Sequence, residues 1–446
     1  MREPLVDRAE RERLADWVED ARARTFAVVD DLTDAQMTVP RLAIVNPPLW
    51  ELGHVAWFQE RWVLRHAAKH APLLAQGDAI YDSTAVAHDT RWDLPLLRRE
   101  PVLAYLEQVR DRVLDRLESR SLTEREAYFI RLSVFHEDMH EEAFTYTRQT
   151  LGYPAPRVPT DDTDDAPEAD DAPDAPFAPL GDVHVPGGTF LLGASPSEPF
   201  VFDNEKWAHP VTIEPFSIAR AAVTQGEFAA FVDDGGYTRR ELWTDEGWTW
   251  RVRAHAERPA YWSRERGGWT RRWFDRVVAL EPALPVLHVN AFEAEAYCRW
   301  AGRRLPTEAE WEVAATGESD AGGRALSTVR RPHPWGDAAP SPAHAHLDGR
   351  AAGCLDVRAL EAGDGAFGCR QLWGNVWEWT STPFEAYPGF VADPYEQYSA
   401  PWFGTHRVLR GGCFATRARL LRNTWRNFFT PDRRDVFAGL RTCARR

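Results

Sequence analysis

The stretch Val134-Phe135-His136-Glu137-Asp138-Met139-His140-Glu141-Glu142 lies within a segment that the sequence predicts to be one long helix. Thr123, followed three residues later by Glu126, has the capping-box pattern of a helix start. Gly152 and Pro154 are stop signals at the other end. Between these ends, apolar residues recur at the spacing of a buried helical stripe: Tyr128, Leu132, Phe135, Met139 and Ala143.

His136 and His140 project from one face of this helix, because residues four apart lie one turn from each other. Two imidazoles in that arrangement can bind a single metal ion, although such pairs are more often surface or satisfied core residues. The acidic residues around them are expected to form mostly the solvated face, with one of them a candidate to orient an imidazole: Glu137, Asp138, Glu141 and Glu142.

His54 is the third candidate ligand, because it lies in the apolar helical segment from Trp50 to Phe58 and is expected to face inward. A buried imidazole needs a partner, since an unpaired buried polar group costs about 1–3 kcal/mol. One shared metal ion would supply that partner for all three histidines, so the sequence favours a three-histidine site.

The composition limits the classes of function. A chain of 446 residues is too long for one hydrophobic core and fits two or three domains. The net charge of −15 argues against nucleic-acid binding and against docking on anionic membranes. No signal peptide and no apolar run long enough for a membrane span is visible. Five cysteines without a C-x-x-C pair predict a reduced, cytoplasmic protein.

Three segments follow from the hydrophobic pattern. Residues 1–153 predict four helices, around 14–29, 50–65, 101–118 and the two-histidine segment, and hence an antiparallel four-helix bundle. Residues 154–180 are rich in Asp, Pro and Ala and predict an extended linker. Residues 181–446 predict short strands, helices around 224–233 and 291–301, and much irregular chain. The fold class is therefore α + (α+β).

Seven motifs occur in order in the third segment: Val185–Phe190, Val223–Phe228, Val286–Asn290, Arg304–Glu312, Gly374–Trp379, Arg410–Gly412 and Ala438–Arg441. Together they resemble the formylglycine-generating-enzyme-like fold, which is distantly related to C-type lectins. The helical segment resembles the DinB-like four-helix bundle, with one histidine on its second helix and His-x-x-x-His on its fourth.

This two-domain arrangement resembles the ergothioneine-biosynthesis sulfoxide synthases. The resemblance implies a non-haem iron enzyme that uses O2 to join a sulfur donor to the imidazole C2 of hercynine, with His54, His136 and His140 as Fe(II) ligands. A three-imidazole set with open positions suits O2 activation by iron. The same set can hold Zn²⁺ with a water, so the ligands alone leave the metal open.

The sequence departs from the resembling families at informative positions. Thr416 and Leu421 stand where formylglycine-generating enzymes have their reactive cysteines, which argues against sulfatase-modifying activity. Met139 replaces a glutamine of the ergothioneine enzymes, and Phe429 replaces an aspartate that binds the amino group of gamma-glutamylcysteine. The loop from Tyr81 to Asp93 carries one arginine, Arg91, instead of a pair.

These losses predict a sulfur or selenium donor with fewer charges, since arginines and a carboxylate are what a zwitterionic peptide requires. A selenosugar fits, and the chain resembles the selenoneine synthases, which form a carbon–selenium bond to hercynine. The alternative is an ergothioneine sulfoxide synthase that uses gamma-glutamylcysteine or cysteine. Remoter alternatives are a zinc-dependent DinB-type transferase and a non-catalytic binding module.

The resemblance also implies further site residues. The trimethylammonium group of hercynine requires aromatic faces, and the candidate substrate-binding residues are Trp425, Asn427, Phe428, Phe429, Met139, Arg91 and His88. A tyrosine after Trp379 serves the relatives as a proton donor during the oxygen chemistry. Tyr387 is the candidate here, and Phe384 is the rival for the same place.

Overall fold

The computed structural model describes residues 4–158 and 179–445. The chain divides into two compact units, Met1–Pro159 and Thr160–Arg446. Residues 159–178, the larger part of the predicted acidic linker, lie outside the described residues. The two units confirm the predicted fold class, one helical and one with helices and small sheets.

The described part of the first unit has five α-helices: α1 (Arg8–Ala27), α2 (Pro48–Gln59), α3 (Gly77–Tyr81), α4 (Arg99–Glu118) and α5 (Glu124–Leu151). The second helix continues as a π-helical segment, Glu60–Ala67. The helices α1 and α2 each pack against both α4 and α5, as in a four-helix bundle. The short α3 packs against α2.

The long helix α5 begins and ends where its sequence signals lie. The hydroxyl of Thr123 accepts a hydrogen bond from the Glu126 amide, and the Glu126 carboxylate accepts one from the Thr123 amide. Gly152 closes the helix in the left-handed region, with a φ of 70°. The predicted single stripe is incomplete, because every residue from Phe129 to Asp138 is buried. The helix is therefore surrounded by other elements on nearly all sides.

The described residues of the second unit form four α-helices: α6 (Gln225–Asp233), α7 (Asp245–Arg253), α8 (Ala291–Trp300) and α9 (Glu308–Thr316). Capping boxes start three of them, at Thr224, Asn290 and Thr307. The predicted helices around 224–233 and 291–301 are confirmed as α6 and α8. The sequence analysis missed α7 and α9, although the Thr307 capping box was visible in the sequence.

Fifteen short strands complete the described part of this unit: β1 (Asp182–Val185), β2 (Gly188–Leu192), β3 (His209–Ile213), β4 (Phe216–Ala219), β5 (Trp262–Glu265), β6 (Gly268–Trp273), β7 (Arg276–Ala279), β8 (Arg303–Arg304), β9 (Gly317–Ser319), β10 (Leu326–Arg330), β11 (Trp377–Pro383), β12 (Arg407–Arg410), β13 (Asn427–Phe429), β14 (Ala438–Leu440) and β15 (Cys443–Ala444). They form sheets of order β1-β4-β15-β8, β13-β12-β11-β14, β5-β6-β7, β2-β3 and β10-β9.

The sheet β13-β12-β11-β14 brings together motifs that are far apart in the sequence. In it, Glu378 of β11 pairs with Arg410 of the antiparallel β12 and with Gly439 of the parallel β14. Gly439 approaches its neighbour so closely that a Cβ there would lie 2.2 Å from the Val286 carbonyl oxygen. Only glycine fits this position.

Membrane insertion has no support in the described helices. Among those of residues 4–158 and 179–445, none combines the length and the hydrophobicity needed to cross a bilayer.

Candidate metal centre

The three candidate histidines meet inside the first unit. His54 comes from α2, and His136 and His140 come from α5. One nitrogen of each lies within 4.8 Å of the others, a separation that one metal ion can bridge. His54 and His136 are only 3% and 6% exposed, and His140 is half-buried. The spacing of four residues therefore places His136 and His140 on one face of α5, and this face is the one that lies against His54.

Hydrogen bonds fix the tautomers of two of these rings. The Nδ1 of His54 donates to the Tyr81 carbonyl oxygen over 2.8 Å, and the Nδ1 of His140 lies 2.6 Å from the Glu51 carboxylate. A carbonyl oxygen only accepts, so Nδ1 of His54 carries the proton and its Nε2 keeps a free lone pair. Partners of this kind regularly orient imidazoles that bind metals.

The third ring is positioned by stacking. The His136 imidazole lies on the Phe58 ring at a centroid distance of 3.6 Å and an interplanar angle of 4°. Its Nδ1 is buried and has no hydrogen-bond partner among the described residues. An unpartnered buried nitrogen is costly in the interior, so no hydrogen bond from the described residues accounts for the position of this ring.

The electrostatics keep two of these rings neutral. Burial holds the pKa of His54 and of His136 well below the ordinary value of 6.5, and the nearby His140 lowers both further. Neutral imidazoles present the lone pairs that a metal ion requires. The donor set therefore fits a divalent cation.

The helix α3 holds His54 in place through three contacts with α2. Trp50 donates to the Ile80 carbonyl over 2.8 Å, and Trp57 donates to Asp78 over 2.6 Å. The Tyr81 ring covers Gly53, where a Cβ would lie 2.2 Å from a ring carbon. The glycine thus lets α3 approach closely enough for the Tyr81 carbonyl to reach His54.

The acidic residues beside the histidines were assigned to the solvated face, and this prediction was wrong. All four are buried, at exposures of 1% for Glu137 and Asp138, 5% for Glu141 and 6% for Glu142. Arg22 of α1 donates to Glu137 over 2.8 Å, and Arg24 donates to Glu141 over 3.2 Å. Arginine partners on α1 make the burial of these carboxylates tolerable.

Two predicted substrate residues of this unit occupy the loop before α4. Arg91 lies over the Trp50 ring at 3.7 Å and donates to Asn46, and Trp50 in turn stacks on His54 at 4.9 Å. Burial lowers the pKa of Arg91 to about 10. His88 is engaged elsewhere, because its Nε2 lies 2.9 Å from the Val45 carbonyl oxygen.

Met139, the third predicted substrate residue of the unit, is half-buried beside His140 on α5. The sequence analysis missed Glu51 and Tyr81 as partners of the ligand candidates. Glu51 had a visible signal, because it is the one acidic residue in the apolar segment Trp50–Phe58. The Tyr81 contact runs through the backbone carbonyl, which no side-chain pattern reveals.

The aromatic candidates of the second unit form a cluster. Phe428 stacks on Phe384 at 4.0 Å, and Trp425 packs edge-on against Trp377 at 5.0 Å. The indole of Trp425 donates to the Tyr398 hydroxyl over 3.3 Å. The sequence analysis did not single out Tyr398, and no pattern around it pointed to this contact.

Asn427 and Phe429 lie on the same strand as Phe428 and have different neighbours. The Asn427 side chain accepts a hydrogen bond from the Phe428 amide over 2.9 Å. The Arg433 guanidinium lies over the Phe429 ring at 5.0 Å and is also paired with Asp435. This arginine is thus already neutralised by a carboxylate of the protein.

Tyr387 lies in a buried cluster of charges. Its hydroxyl donates to Glu308 over 3.2 Å, and the Arg426 guanidinium lies over its ring at 4.1 Å. Burial raises the pKa of the Tyr387 phenol well above its ordinary value, so the hydroxyl keeps its proton. Its rival Phe384 is fully buried.

Comparison with known proteins identifies the family to which this chain belongs. Residues 169–446 match the sulfatase-modifying factor enzyme 1-like domain, and residues 18–143 match the DinB superfamily. The hercynine oxygenase of Mycolicibacterium smegmatis is 38% identical over 440 residues, which cover 97% of this chain and 98% of that protein. The chain belongs to the hercynine oxygenase family. Membership in this family makes it an oxidoreductase.

Other relatives agree with this assignment. The hercynine oxygenase of Mycobacterium tuberculosis is 37% identical over 434 residues, which cover 96% of this chain and 98% of that protein. A formylglycine-generating enzyme of Thermomonospora curvata is 31% identical over 302 residues, which cover 59% of this chain and 93% of that enzyme. Full-length similarity thus connects the chain to the hercynine oxygenases and partial similarity to the formylglycine-generating enzymes.

Proposed function

We propose that this protein is a non-haem, Fe(II)- and O2-dependent enzyme that acts on hercynine, with His54, His136 and His140 as the metal ligands. The observation that carries the proposal is the buried histidine cluster, whose candidate ligand atoms lie within 4.8 Å of one another. Relatives named hercynine oxygenase, similar over nearly their full length, support hercynine as the substrate.

The chain's own residues would hold the metal and exclude water. When bound, Fe(II) would supply O2 activation and open coordination positions for the substrates. The Tyr81 carbonyl and the Glu51 carboxylate hold two imidazoles in fixed orientations, and Phe58 holds the third by stacking. Burial of His54 and His136 keeps bulk water away from this side of the site.

Recognition of hercynine is assigned to the aromatic residues of the second unit. A trimethylammonium group binds the faces of aromatic rings, and Trp425 and Phe428 belong to one aromatic cluster with Phe384 and Tyr398. Asn427 would contribute a polar contact to the imidazole or the carboxylate of hercynine.

We retain Tyr387 as the proposed proton donor, because its raised pKa keeps the phenol protonated. Tyr398 has the same property, since burial raises its pKa as well. The variants Tyr387→Phe and Tyr398→Phe therefore form a matched pair. Loss of turnover in the first and near-normal turnover in the second would support the assignment, and the reverse would transfer the role to Tyr398.

The proposed chalcogen donor is a selenosugar, which makes the enzyme a selenoneine synthase. The chain has apolar residues, Met139 in the first unit and Phe429 in the second, in place of polar family residues that suit a charged peptide donor, and Arg433 is paired with Asp435. In the net reaction the selenol Se–H and the hercynine C2–H bonds break and a C–Se bond forms. O2 takes four electrons and leaves one oxygen atom on selenium and the other in water.

The alternative is the analogous C–S reaction with gamma-glutamylcysteine or cysteine, which the similarity to hercynine oxygenases favours equally. The test is anaerobic reconstitution with Fe(II), followed by O2, hercynine and one donor in each reaction. A hercynine–selenium adduct only with the selenosugar is the expected mass spectrum. A sulfur adduct with a peptide or cysteine would make the enzyme an ergothioneine sulfoxide synthase. No adduct with any donor would favour a zinc-dependent transferase or a binding module.

A further inference from the structure

We propose that Glu51 is the positioning residue of the metal centre, whose carboxylate orients His140 and makes its imidazole a stronger ligand. This inference rests on the proposed function, because it takes His140 to be a metal ligand.

The geometry of Glu51 singles it out among the buried acids of the bundle. It is 1% exposed, and its Oε1 lies 2.6 Å from the Nδ1 of His140. It precedes His54 on α2 by three residues, so both side chains leave the helix on neighbouring positions of one face. The carboxylate therefore connects α2 to the ligand on α5.

The chemistry of the pair explains what the contact does. The carboxylate accepts a hydrogen bond from the Nδ1–H group, so the lone pair of His140 is confined to Nε2, the nitrogen on the far side of the ring. A carboxylate partner of this kind orients a ligating imidazole and strengthens its bond to a cation.

The three histidines differ in the groups that hold their rings in place. His54 is held by a backbone carbonyl and His136 by the Phe58 ring, so among the hydrogen bonds of the described residues only His140 has a charged partner. Arg91, which lies over Trp50, interacts electrostatically with Glu51 and limits the cost of burying the carboxylate. Glu51 is thus the charged side chain that forms a hydrogen bond with a candidate ligand.

The test compares Glu51→Gln and Glu51→Ala with the control Glu60→Gln. In Glu51→Gln the amide oxygen can still accept a hydrogen bond from the Nδ1 of His140, but it carries no charge. Glu51→Ala removes both the charge and the hydrogen bond. Glu60 is an equally buried acid in the helical segment that continues α2, and it accepts a hydrogen bond from Tyr105 over 2.6 Å. It therefore reports the general effect of removing a buried carboxylate.

The measurements are anaerobic Fe(II) affinity of the full chain, by competition with a chelator, and the visible spectrum of the Co(II)-loaded protein. We expect affinity to fall about tenfold in Glu51→Gln and about 100-fold in Glu51→Ala, the range found when a partner of a ligating histidine is lost. The Co(II) bands should shift in both Glu51 variants and stay unchanged in Glu60→Gln.

A different pattern would overturn the inference. Wild-type affinity and an unshifted Co(II) spectrum in Glu51→Gln would show that Glu51 only stabilises the fold, as would an equal loss in Glu60→Gln. Glu51→Gln conserves shape and carries the test if Glu51→Ala does not fold. A wild-type chain that binds neither Fe(II) nor Co(II) would instead contradict the proposed function.

Discussion

Two buried polar clusters, one in each unit, show opposite ways of placing polar groups inside a protein. In the second unit, Arg410 donates to Glu308 and Glu312 over 2.9 and 2.6 Å, and Arg426 donates to Glu308 over 2.6 Å. Every charge there faces an opposite charge of the protein. In the first unit, three imidazoles lie close to one another, and Nδ1 of both His54 and His140 is already engaged by a partner outside the cluster.

The difference separates a structural cluster from a binding site. The charges of the arginine–glutamate cluster are paired within the chain, so its removal should lower stability without changing Fe(II) affinity. Among the described residues, the candidate ligand group consists of three imidazoles without a carboxylate, and a cation would complete it. The following predictions test this contrast.

The largest effect is expected for His136→Leu. Loss of one of three ligands should abolish stoichiometric Fe(II) binding and turnover, since losing even a partner of a ligand costs about 10–100-fold. The metal-free variant should be at least as stable as the wild type, because an unpartnered buried nitrogen is replaced by apolar atoms. Metal analysis and urea unfolding measure the two properties.

Retention of one equivalent of tightly bound Fe(II) in His136→Leu would contradict the assignment of the histidine cluster as a metal site. A loss of several kcal/mol of stability in the metal-free variant would also contradict it, because His136 would then stabilise the folded chain.

The second prediction concerns Arg426→Met in the other cluster. Removing this arginine leaves less positive charge beside the buried Glu308 carboxylate, and breaking a buried ion pair costs about 3–5 kcal/mol. The free energy of unfolding should fall by about that amount, whereas Fe(II) affinity should stay within twofold of the wild type. The double variant Arg426→Met with Glu308→Gln should recover part of the lost stability, since it removes the uncompensated carboxylate.

The third prediction is Gly53→Ala. A methyl group at this position would collide with the Tyr81 ring, and overpacking of this kind costs about 1–3 kcal/mol. Displacement of Tyr81 should also weaken Fe(II) binding, because its carbonyl holds His54. The control is Gly267→Ala, where the new methyl group meets open space. Equal Fe(II) affinity in both variants would show that α3 does not position His54.

The smallest effect is a pH dependence of the metal-free protein. The pKa of His54 and His136 is depressed in the folded chain, so below pH 6.5 the unfolded chain binds protons that the folded chain does not. Their contribution to stability is present above pH 6.5 and is lost as the pH falls, by about 1 kcal/mol for each histidine between pH 6.5 and 5.5. Urea unfolding between pH 6.5 and 5.5 measures this slope.

The variant His136→Leu should lose one of these two contributions and show a shallower slope. An identical slope in the variant and the wild type would mean that His136 is protonated in the folded protein.

The sequence analysis succeeded where the signals were local. The capping box at Thr123 and the spacing of His136 and His140 need only neighbouring residues, and both agree with the structure. The inward orientation of His54 followed from the apolar residues around it. The helical and mixed units were predictable because the hydrophobic pattern changes along the chain.

The analysis failed where the partner lies far along the chain. Glu137 looked solvent-exposed because its partner Arg22 is 115 residues away. The parallel pairing of Trp377 with Ala438 likewise joins segments whose proximity depends on the whole fold. No sequence pattern near Tyr387 predicted that a buried arginine and a buried glutamate contact it.

X-ray absorption of the anaerobic, Fe(II)-loaded full chain tests the central claim most directly. The account predicts a nitrogen- and oxygen-based coordination shell with the multiple-scattering features of three imidazoles, and the absence of this shell from His136→Leu treated in the same way. A sulfur ligand, a shell with one imidazole or none, or identical spectra in the two proteins would contradict it.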